Sequence, residues 1–308
     1  MPDDQRPFFD LQVNGHAGVD FNADDLTTPQ VAAACEQLER HGVEGILATV
    51  ITDRIDAMCR RIARLVAARN ADATVRCVIQ GIHVEGPFLN EQPGFVGAHP
   101  RHAVLPATVD AAERLVAAGE GLVRLVTLAP ERDERLAVTK WLVERGIRVA
   151  AGHCDPSLEE LRAAIDAGLT LFTHLGNGCP LSLPRHDNVI QRVLSVSDRL
   201  WVTFIGDGVH VPFFALANYV RSVGVERAIV VSDAIAAAGL GPGEYMLAGQ
   251  QVVVDEQLAT WSADRSHLMG SATPLWRASD NLVTQLGLNA ADARRLTWHN
   301  PRAALGLK

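Results

Sequence analysis

The stretch VIQGIHVEGP, residues 78–87, decides the fold. Its apolar part, Val78–Glu85, has the length and the branched composition of a buried strand. His83 and Glu85 stand two residues apart, so they face the same side of that strand. A strand that is buried along its length and becomes polar only at its carboxyl end is typical of α/β barrels, which gather their functional groups there.

Seven further runs of strand type flank this stretch on both sides, separated by segments with apolar residues at three- and four-residue spacing. The other predicted strands are Phe8–Val13, Gly45–Ile51, Leu122–Leu128, Arg148–His153, Leu169–Leu175, Trp201–Ile205 and Ala228–Ser232. The predicted helices between them include Gln30–His41, Asp53–Arg69, Asp110–Ala118, Ser157–Ala167 and Phe213–Val223. Eight strand–helix repeats predict an α/β fold of the (β/α)8 TIM-barrel type. A doubly wound open sheet is the rival, but no GxGxxG motif follows the first strand.

The alternation is interrupted after the eighth strand. From Gly239 to Met269 the pattern is irregular, and Val252–Val254 is predicted to form part of a small hairpin. Two terminal helices, Pro274–Leu286 and Ala290–Ala304, are predicted to follow. Because barrel proteins build their sites from the loops at the carboxyl ends of the strands, this excursion is predicted to be an active-site loop.

Composition excludes several classes of protein. The 308 residues carry 28 basic and 36 acidic side chains, a formal charge of −8, which argues against a nucleic-acid partner. No apolar run reaches the ~18 residues of a membrane span, and Met1–Asp10 lacks the basic and apolar parts of a signal peptide. The five cysteines form no CxxC pair and are predicted to be free thiols. We therefore expect a cytoplasmic protein without a membrane partner.

Polar residues follow the predicted strands at their carboxyl ends. Four such residues each end a different predicted strand, and each has a Gly or Ala one or two positions away. They are Glu85, His153, His174 and Asp233. In a barrel these ends converge on one mouth. Two imidazoles and one carboxylate with an open fourth position make a common catalytic zinc site, and a further carboxylate can act as general base. Taken singly, each of these residues would more often be a capping or satisfied polar side chain.

The same residues lie in motifs that resemble the amidohydrolase superfamily, and within it the N-acetylglucosamine-6-phosphate deacetylase family. The motifs occur in the order of that family over nearly the whole chain. They are DLQVNG at 10–15, GIHVEGPF at 81–88, GAH at 97–99, AGH at 151–153, THL at 173–175, Asn177, DGVH at 207–210, SDA at 232–234 with AAG at 237–239, and GSAT at 270–273.

The resemblance implies the roles of the site residues. Glu85, His153 and His174 would bind one divalent metal ion, with zinc expected, and Asp233 would be the catalytic acid/base. His99 would join the metal in stabilising the oxyanion. Many relatives carry His-x-His at the end of the first strand; this chain has Gln12 and Asn14 there. Amides are poor zinc ligands, so one metal is predicted rather than two. His16 is interpreted as a polar loop residue, and His83 as a support behind Glu85.

The substrate implied by the resemblance is N-acetylglucosamine 6-phosphate, which would be hydrolysed to glucosamine 6-phosphate and acetate. The substrate contacts would be Asn177, Gly178, Arg185, His210, Gln12 and Ser271. The phosphate pocket of such enzymes is completed across a dimer interface, which implies a homodimer. The residues around Arg185 depart from the family pattern. A different N-acyl or small amide substrate therefore stays open, as does a catalytically silent barrel that binds sugar phosphates.

Length adds one expectation about the domains. The predicted strands and helices fill residues 8–304, so few residues are left for anything else. The family carries a small β-domain formed from both chain termini beside its barrel. We therefore expect residues 1–308 to form a single barrel domain without the small β-domain.

Overall fold

The computed structural model describes residues 7–307 and contains the predicted barrel. Eight parallel strands follow one another in chain order around the sheet. They are Phe8–Val13, Val43–Ile51, Ile79–Glu85, Val123–Leu128, Arg148–Ala151, Leu171–Phe172, Trp201–Ile205 and Ala228–Val231. A parallel bridge between Val13 and Ala234 joins the first strand to the residues after the last one. The (β/α)8 prediction is confirmed.

Helices cover the outside of this sheet. They are Thr28–Arg40, Ile55–Ala71, Ala73–Val78, Val109–Ala118, Ala137–Glu144, Leu158–Asp166, Val189–Leu194, Phe213–Val223, Leu275–Thr284, Ala290–Arg294 and Asn300–Ala304. Short 3-10 turns occur at Arg101–Ala103, Pro130–Arg132, Glu134–Leu136 and Ser197–Arg199. The predicted terminal helix Ala290–Ala304 is divided by a π-helical segment, Arg295–His299.

Most of the apolar core lies in two layers, and a third, smaller cluster packs the inserted segment with Ile235, Leu247 and Val252. The larger layer lies between the strands and the helices, and it contains Ile46, Leu65 and Leu142 among many others. The smaller one fills the barrel interior with the inward side chains Phe9, Leu11, Leu47, Leu125, Ala150, Leu171, Ile205, Ile229 and Val231.

A three-stranded antiparallel sheet is inserted after the eighth strand. Its strands are Gly243–Leu247, Gln250–Val254 and Thr260–Ser262. The predicted hairpin around Val252–Val254 is its middle strand. A two-stranded ribbon, Gly15–His16 with Val19–Asp20, follows the first barrel strand. Within residues 7–307 there is no helix with the length and apolarity to cross a membrane. Residues 1–6, part of the segment compared above with a signal peptide, lie outside the described residues.

Candidate active site

A cavity of about 630 Å³ opens at the carboxyl ends of the barrel strands and contains the predicted chemical groups. Glu85, His153, His174 and Asp233 line it together although up to 148 residues separate them in sequence. His99 joins them from the loop after the third barrel strand. All five side chains are at least nine-tenths buried, with exposures of 9% or less. The volume suits a small molecule.

The three histidines converge on one carboxylate. His174 Nε2 lies 3.0 Å from Glu85 Oε1, and His153 Nε2 lies 3.5 Å from the same oxygen. His99 Nε2 is 3.2 Å from His153 Nε2. Donor atoms of Glu85, His99 and His153 all lie within 4.8 Å of one another, close enough to hold one metal ion. The predicted ligand His174 is not in this set of three, although its Nε2 contacts the same Glu85 oxygen and its ring lies 4.9 Å from that of His153. His99, predicted for the oxyanion, is in the set.

The imidazole tautomers fit a metal. His153 Nδ1 lies 2.8 Å from the carbonyl oxygen of Phe95, and it must be the donor in that pair. Nε2 of His153 therefore presents its lone pair to the cluster, the arrangement that metal-bound histidines use. Nδ1 of His99 and Nδ1 of His174 are buried, and neither has a hydrogen-bond partner in the described range 7–307. Nitrogen and carboxylate donors of this kind suit zinc and related divalent metals.

Electrostatics within the cluster follow from burial and from the Glu85 charge. Burial acts to raise the pKa of Glu85, but the close contacts with His153 and His174 outweigh it and hold that pKa well below its ordinary value. Burial acts to lower the pKa of His174, and its bond to Glu85 outweighs burial, so the net direction is upward. Burial, with its histidine neighbours, lowers the pKa of His99 to about 3. His99 is therefore neutral at physiological pH.

Asp233 stands beside this cluster as a separate carboxylate. Its Oδ1 accepts a 2.8 Å hydrogen bond from Asn14 Nδ2, while Oδ2 has no hydrogen-bond partner among residues 7–307. Burial and the nearby Glu85 charge raise the pKa of Asp233 to about 6. A carboxylate with one fixed and one free oxygen, and a pKa near neutrality, has the properties of a general base.

Three of these groups sit on unusual backbone. His153, His174 and Asp233 have φ values of 51°, 32° and 49°, in the left-handed region that non-glycine residues rarely adopt. Each of them stands two positions after the last residue of its strand. The sharp bend turns the side chain from the barrel wall into the mouth. Strained residues of this kind cluster at functional sites.

Two glycines pack against the ring of His153. A Cβ atom on Gly97 would lie 2.9 Å from His153 Cε1, and one on Gly178 would lie 2.9 Å from His153 Nδ1. Both glycines also have φ near +60°. Only glycine allows the two loops to approach the imidazole from both directions, and this contact keeps the ring in one orientation.

Gln12 and Asn14, which replace the His-x-His of many relatives, have separate tasks here. Gln12 Nε2 donates to both oxygens of Glu85, at 3.1 Å each, from outside the cavity. Asn14 supports Asp233 as described above. His83 lies behind Glu85 and bonds to Thr127 Oγ1 at 2.8 Å. His16 is not among the residues that line this cavity.

The residues predicted to bind substrate are divided by the structure. Asn177, Gly178 and His210 line the cavity. Ser271 does not; it is buried, and its hydroxyl donates to Asp207 Oδ2 at 3.0 Å. Arg185 is exposed in the loop that follows the sixth strand and does not reach the cavity in this chain.

Several features of the site were not recognised in the sequence. Asp207, buried below His210, accepts from His210 Nδ1 at 2.7 Å, and the His210 charge outweighs burial and lowers the pKa of Asp207. The inserted sheet covers the mouth with Leu247, Trp261 and His267. Asp207 carried a signal, because it stands three residues before a histidine within the DGVH motif. The inserted side chains carried none, since their place depends on how the insertion folds back.

The charge of the lining is unexpected for a phosphate ester. Among the described residues, no lysine or arginine lines the cavity. His210 lines the cavity and is a basic side chain, but its Nδ1 is already bonded to Asp207. The cavity of a single chain is therefore equipped for amide chemistry but not for neutralising a dianion.

A (β/α)8 barrel with this cluster of carboxylates and imidazoles at its mouth defines the chain as a metal-dependent amidohydrolase. Comparison with known proteins identifies the family. The chain is 33% identical over 315 residues to human N-acetylglucosamine-6-phosphate deacetylase, covering 98% of this chain and 74% of the human one. The chain belongs to the N-acetylglucosamine-6-phosphate deacetylase family. A scan against protein-family models finds no match.

Two further relatives bear on the substrate. A mutant of the Mycobacterium smegmatis N-acetyl-D-glucosamine-6-phosphate deacetylase, solved in complex with N-acetyl-D-glucosamine-6-phosphate, superposes with a TM-score of 0.87 at 32% identity, covering 98% of this chain and 77% of that one. An N-acetylgalactosamine-6-phosphate deacetylase of Escherichia coli O157:H7 is 29% identical over 303 residues, covering 97% of this chain and 77% of that enzyme. Proteins similar to this chain thus differ in the sugar they act on.

Proposed function

We propose that the protein hydrolyses the N-acetyl amide of an amino sugar 6-phosphate, with N-acetylglucosamine 6-phosphate as the substrate. The observation that supports this most strongly is the meeting of Glu85, His99, His153, His174 and Asp233 in one buried cavity of suitable size. The substrate itself comes from the relatives, of which two carry that sugar phosphate in their names. We also propose the cytoplasm as its location, supported by five free cysteines.

We further propose that Glu85, His153 and His174 hold one zinc ion, with His99 beside it. A divalent ion bound there would act as a Lewis acid that polarises the acetyl carbonyl and acidifies water. His153 is supported in this role by its Nδ1 bond to Phe95, and Glu85 by its two bonds from Gln12. His99, which is neutral, can donate a hydrogen bond from its one N–H to the developing oxyanion.

Asp233 would carry out the proton transfers of the reaction. Its free Oδ2 would accept a proton from the attacking water, while Asn14 holds Oδ1 and keeps the carboxyl plane fixed. The same carboxyl would then deliver that proton to the departing amine, which would otherwise be a poor leaving group. Burial and the Glu85 charge raise its pKa to about 6, so both protonation states are accessible near neutral pH.

We propose that a second subunit completes the phosphate site. One chain offers His210 and the loop Asn177-Gly178 but no lining lysine or arginine among the described residues. Arg185 is exposed on that same loop, where it is available to a neighbouring copy. A guanidinium is well suited to phosphate because it donates in a fork. The functional unit would then be a homodimer.

The same lack of a lining cation favours a second candidate function. An N-acyl compound without phosphate would need no cation in the cavity, and it could use the same five chemical groups. The test is a screen of acetate release from N-acetylglucosamine and N-acetylgalactosamine, each with and without 6-phosphate, on zinc-loaded protein.

Efficient release from the 6-phosphates alone, weakened by Arg185→Ala, would support the main proposal. Equal rates with and without phosphate, unaffected by Arg185→Ala, would favour the second candidate. Arg199→Ala, at an exposed arginine outside the cavity, is the matched control.

A further inference from the structure

A second cavity, of about 620 Å³, lies outside the active site. It is bounded by the loop after the first strand, by helix Thr28–Arg40 and by the beginning of helix Leu275–Thr284. Within the described part of the chain it shares no lining residue with the active-site cavity. Its volume is in the range of small-molecule sites.

An aromatic cluster forms one side of this cavity. The imidazole of His41 stacks on the indole of Trp276 with ring centroids 4.1 Å apart and planes 7° from parallel. His16 meets the same indole edge-on, at 5.6 Å and 78°. His41 Nδ1 lies 2.8 Å from the carbonyl oxygen of Gln37, which fixes its ring from the helix. The three rings thus form a continuous aromatic platform along this side of the cavity.

His16 provides the observation that points to a ligand. Its side chain is 2% exposed and lines the cavity, yet neither ring nitrogen has a hydrogen-bond partner among residues 7–307. Burial and the neighbouring His41 lower the pKa of His16 to about 4, so the ring is neutral and carries one donor and one acceptor. A buried polar group left without a partner costs about 1–3 kcal/mol. That cost falls on the fully buried Nδ1, while Nε2 is left to bond to a molecule in the cavity.

The remaining walls indicate the kind of molecule. Ala17, Ala33, Leu240 and Leu258 make much of the lining apolar. Arg277 is the one cation that lines the cavity in residues 7–307, and no acidic side chain there accompanies it. Arg277 is exposed at the rim of the cavity, and its guanidinium makes no ion pair or side-chain hydrogen bond within the same residues. The cavity therefore offers the positive charge of Arg277, apolar walls and the buried imidazole of His16.

Backbone hydrogen bonds hold the walls in place. The amide of Ala17 donates to the carbonyl of Ala238 at 3.1 Å, and the amide of Gly18 donates to that of Ala236 at 2.7 Å. These bonds join the loop that carries His16 to the segment after the eighth strand. The cavity is thus built into the fold rather than formed between mobile side chains.

We propose that this cavity is a second ligand site, which takes a small carboxylate with a planar apolar body. Arg277 would pair with the carboxylate, the apolar body would lie against the aromatic platform, and His16 with Gln37 would hydrogen-bond to polar atoms of the ligand. The proposal does not depend on the deacetylase reaction.

The test uses benzoate as the anionic probe and benzyl alcohol as its uncharged counterpart, each titrated into the full-length protein by calorimetry. Benzoate should bind at one site, and more tightly than benzyl alcohol. Arg277→Gln should weaken benzoate binding about tenfold, as expected for loss of a charge-assisted pair. Ala33→Trp, which places an indole in the cavity from an exposed helical position, should abolish it.

Arg294→Gln is the matched control, because Arg294 is exposed on a neighbouring helix and does not line the cavity. It should bind benzoate like the unchanged protein. Absence of saturable benzoate binding would overturn the proposal. So would binding that is equal in Arg277→Gln and Arg294→Gln, since the probe would then occupy another place. Arg277→Gln keeps the test decisive if Ala33→Trp folds poorly.

Discussion

The side-chain amide of Gln12 donates to both carboxylate oxygens of Glu85, at 3.1 Å each. Both residues are buried, at 2% and 3% exposure. The paired donors fix the plane of the carboxylate and help to hold its charge in an apolar surrounding. Gln12 thus supports the carboxylate on which the histidine cluster converges.

Gln12→Leu should weaken metal binding. Supports behind a metal ligand typically contribute about 10- to 100-fold to metal affinity, and leucine keeps the volume while removing both donors. The measurement is competition for zinc with a chelator of known affinity. Gln80→Leu, near the start of the strand that ends at Glu85 and outside the cavity, is the control. Unchanged affinity in Gln12→Leu would show that Glu85 is held in place without this bond.

Asp233→Asn should keep its metal and lose deacetylation by about 100-fold or more, because an amide cannot accept the proton of the attacking water. Asparagine tolerates the left-handed backbone at this position. Metal analysis and acetate release measured on the same sample separate the two effects. Asp264→Asn, an exposed change of the same type, is the control. Near-normal turnover would remove Asp233 from the mechanism.

His174→Asn and His99→Asn should have opposite signatures. The first should lower zinc content, since His174 is proposed as a ligand. The second should retain zinc and lower kcat, since His99 is proposed to stabilise the oxyanion. His99 lies within the compact set of possible ligands, so the comparison is decisive. The reverse pattern would exchange the two roles.

Gly178→Ala should cost more stability than Gly121→Ala. Both glycines have positive φ, but a Cβ on Gly178 would lie 2.9 Å from His153, whereas one on Gly121 would meet nothing within 4 Å. Overpacking of this kind costs about 1–3 kcal/mol beyond the backbone strain. Urea unfolding of both variants measures the difference. Equal losses would mean that the loop moves away from His153 at little cost.

Zinc affinity should fall as pH decreases. The Glu85 charge outweighs burial and raises the pKa of His174, so a proton occupies the proposed ligand at higher pH than usual. Metal must displace that proton. Affinity should therefore drop about tenfold for each pH unit below the pKa of His174, and level off above it. Calorimetry from pH 5 to pH 8 checks the slope. A flat profile would show that His174 is neutral before metal binds.

Much of the barrel was predictable because buried strands and amphipathic helices place their apolar residues at fixed spacings in the sequence. Strands Phe8–Val13 and Trp201–Ile205 and helix Phe213–Val223 have the predicted bounds. The convergence of Glu85, His153, His174 and Asp233 followed from the barrel geometry alone, since parallel strands bring their carboxyl ends together. Local pattern and topology agreed, which is what makes such a prediction safe.

Other features depend on tertiary contacts. The sixth strand was predicted as Leu169–Leu175 but contains only Leu171–Phe172, because the backbone bends at His174. Helices Ala137–Glu144 and Val189–Leu194 are short and were not predicted. The place of Arg185 depends on a loop with few buried contacts. The spacing of apolar residues in the sequence does not predict these features.

The bent backbone at His153, His174 and Asp233 has a thermodynamic consequence. Each non-glycine residue in the left-handed region costs about 1–3 kcal/mol. The fold is therefore less stable with its chemical groups than it would be with glycine at the same three positions, and activity competes with stability residue by residue. Glycine at these three positions would give a more stable barrel that lacks the side chains needed for the proposed hydrolysis.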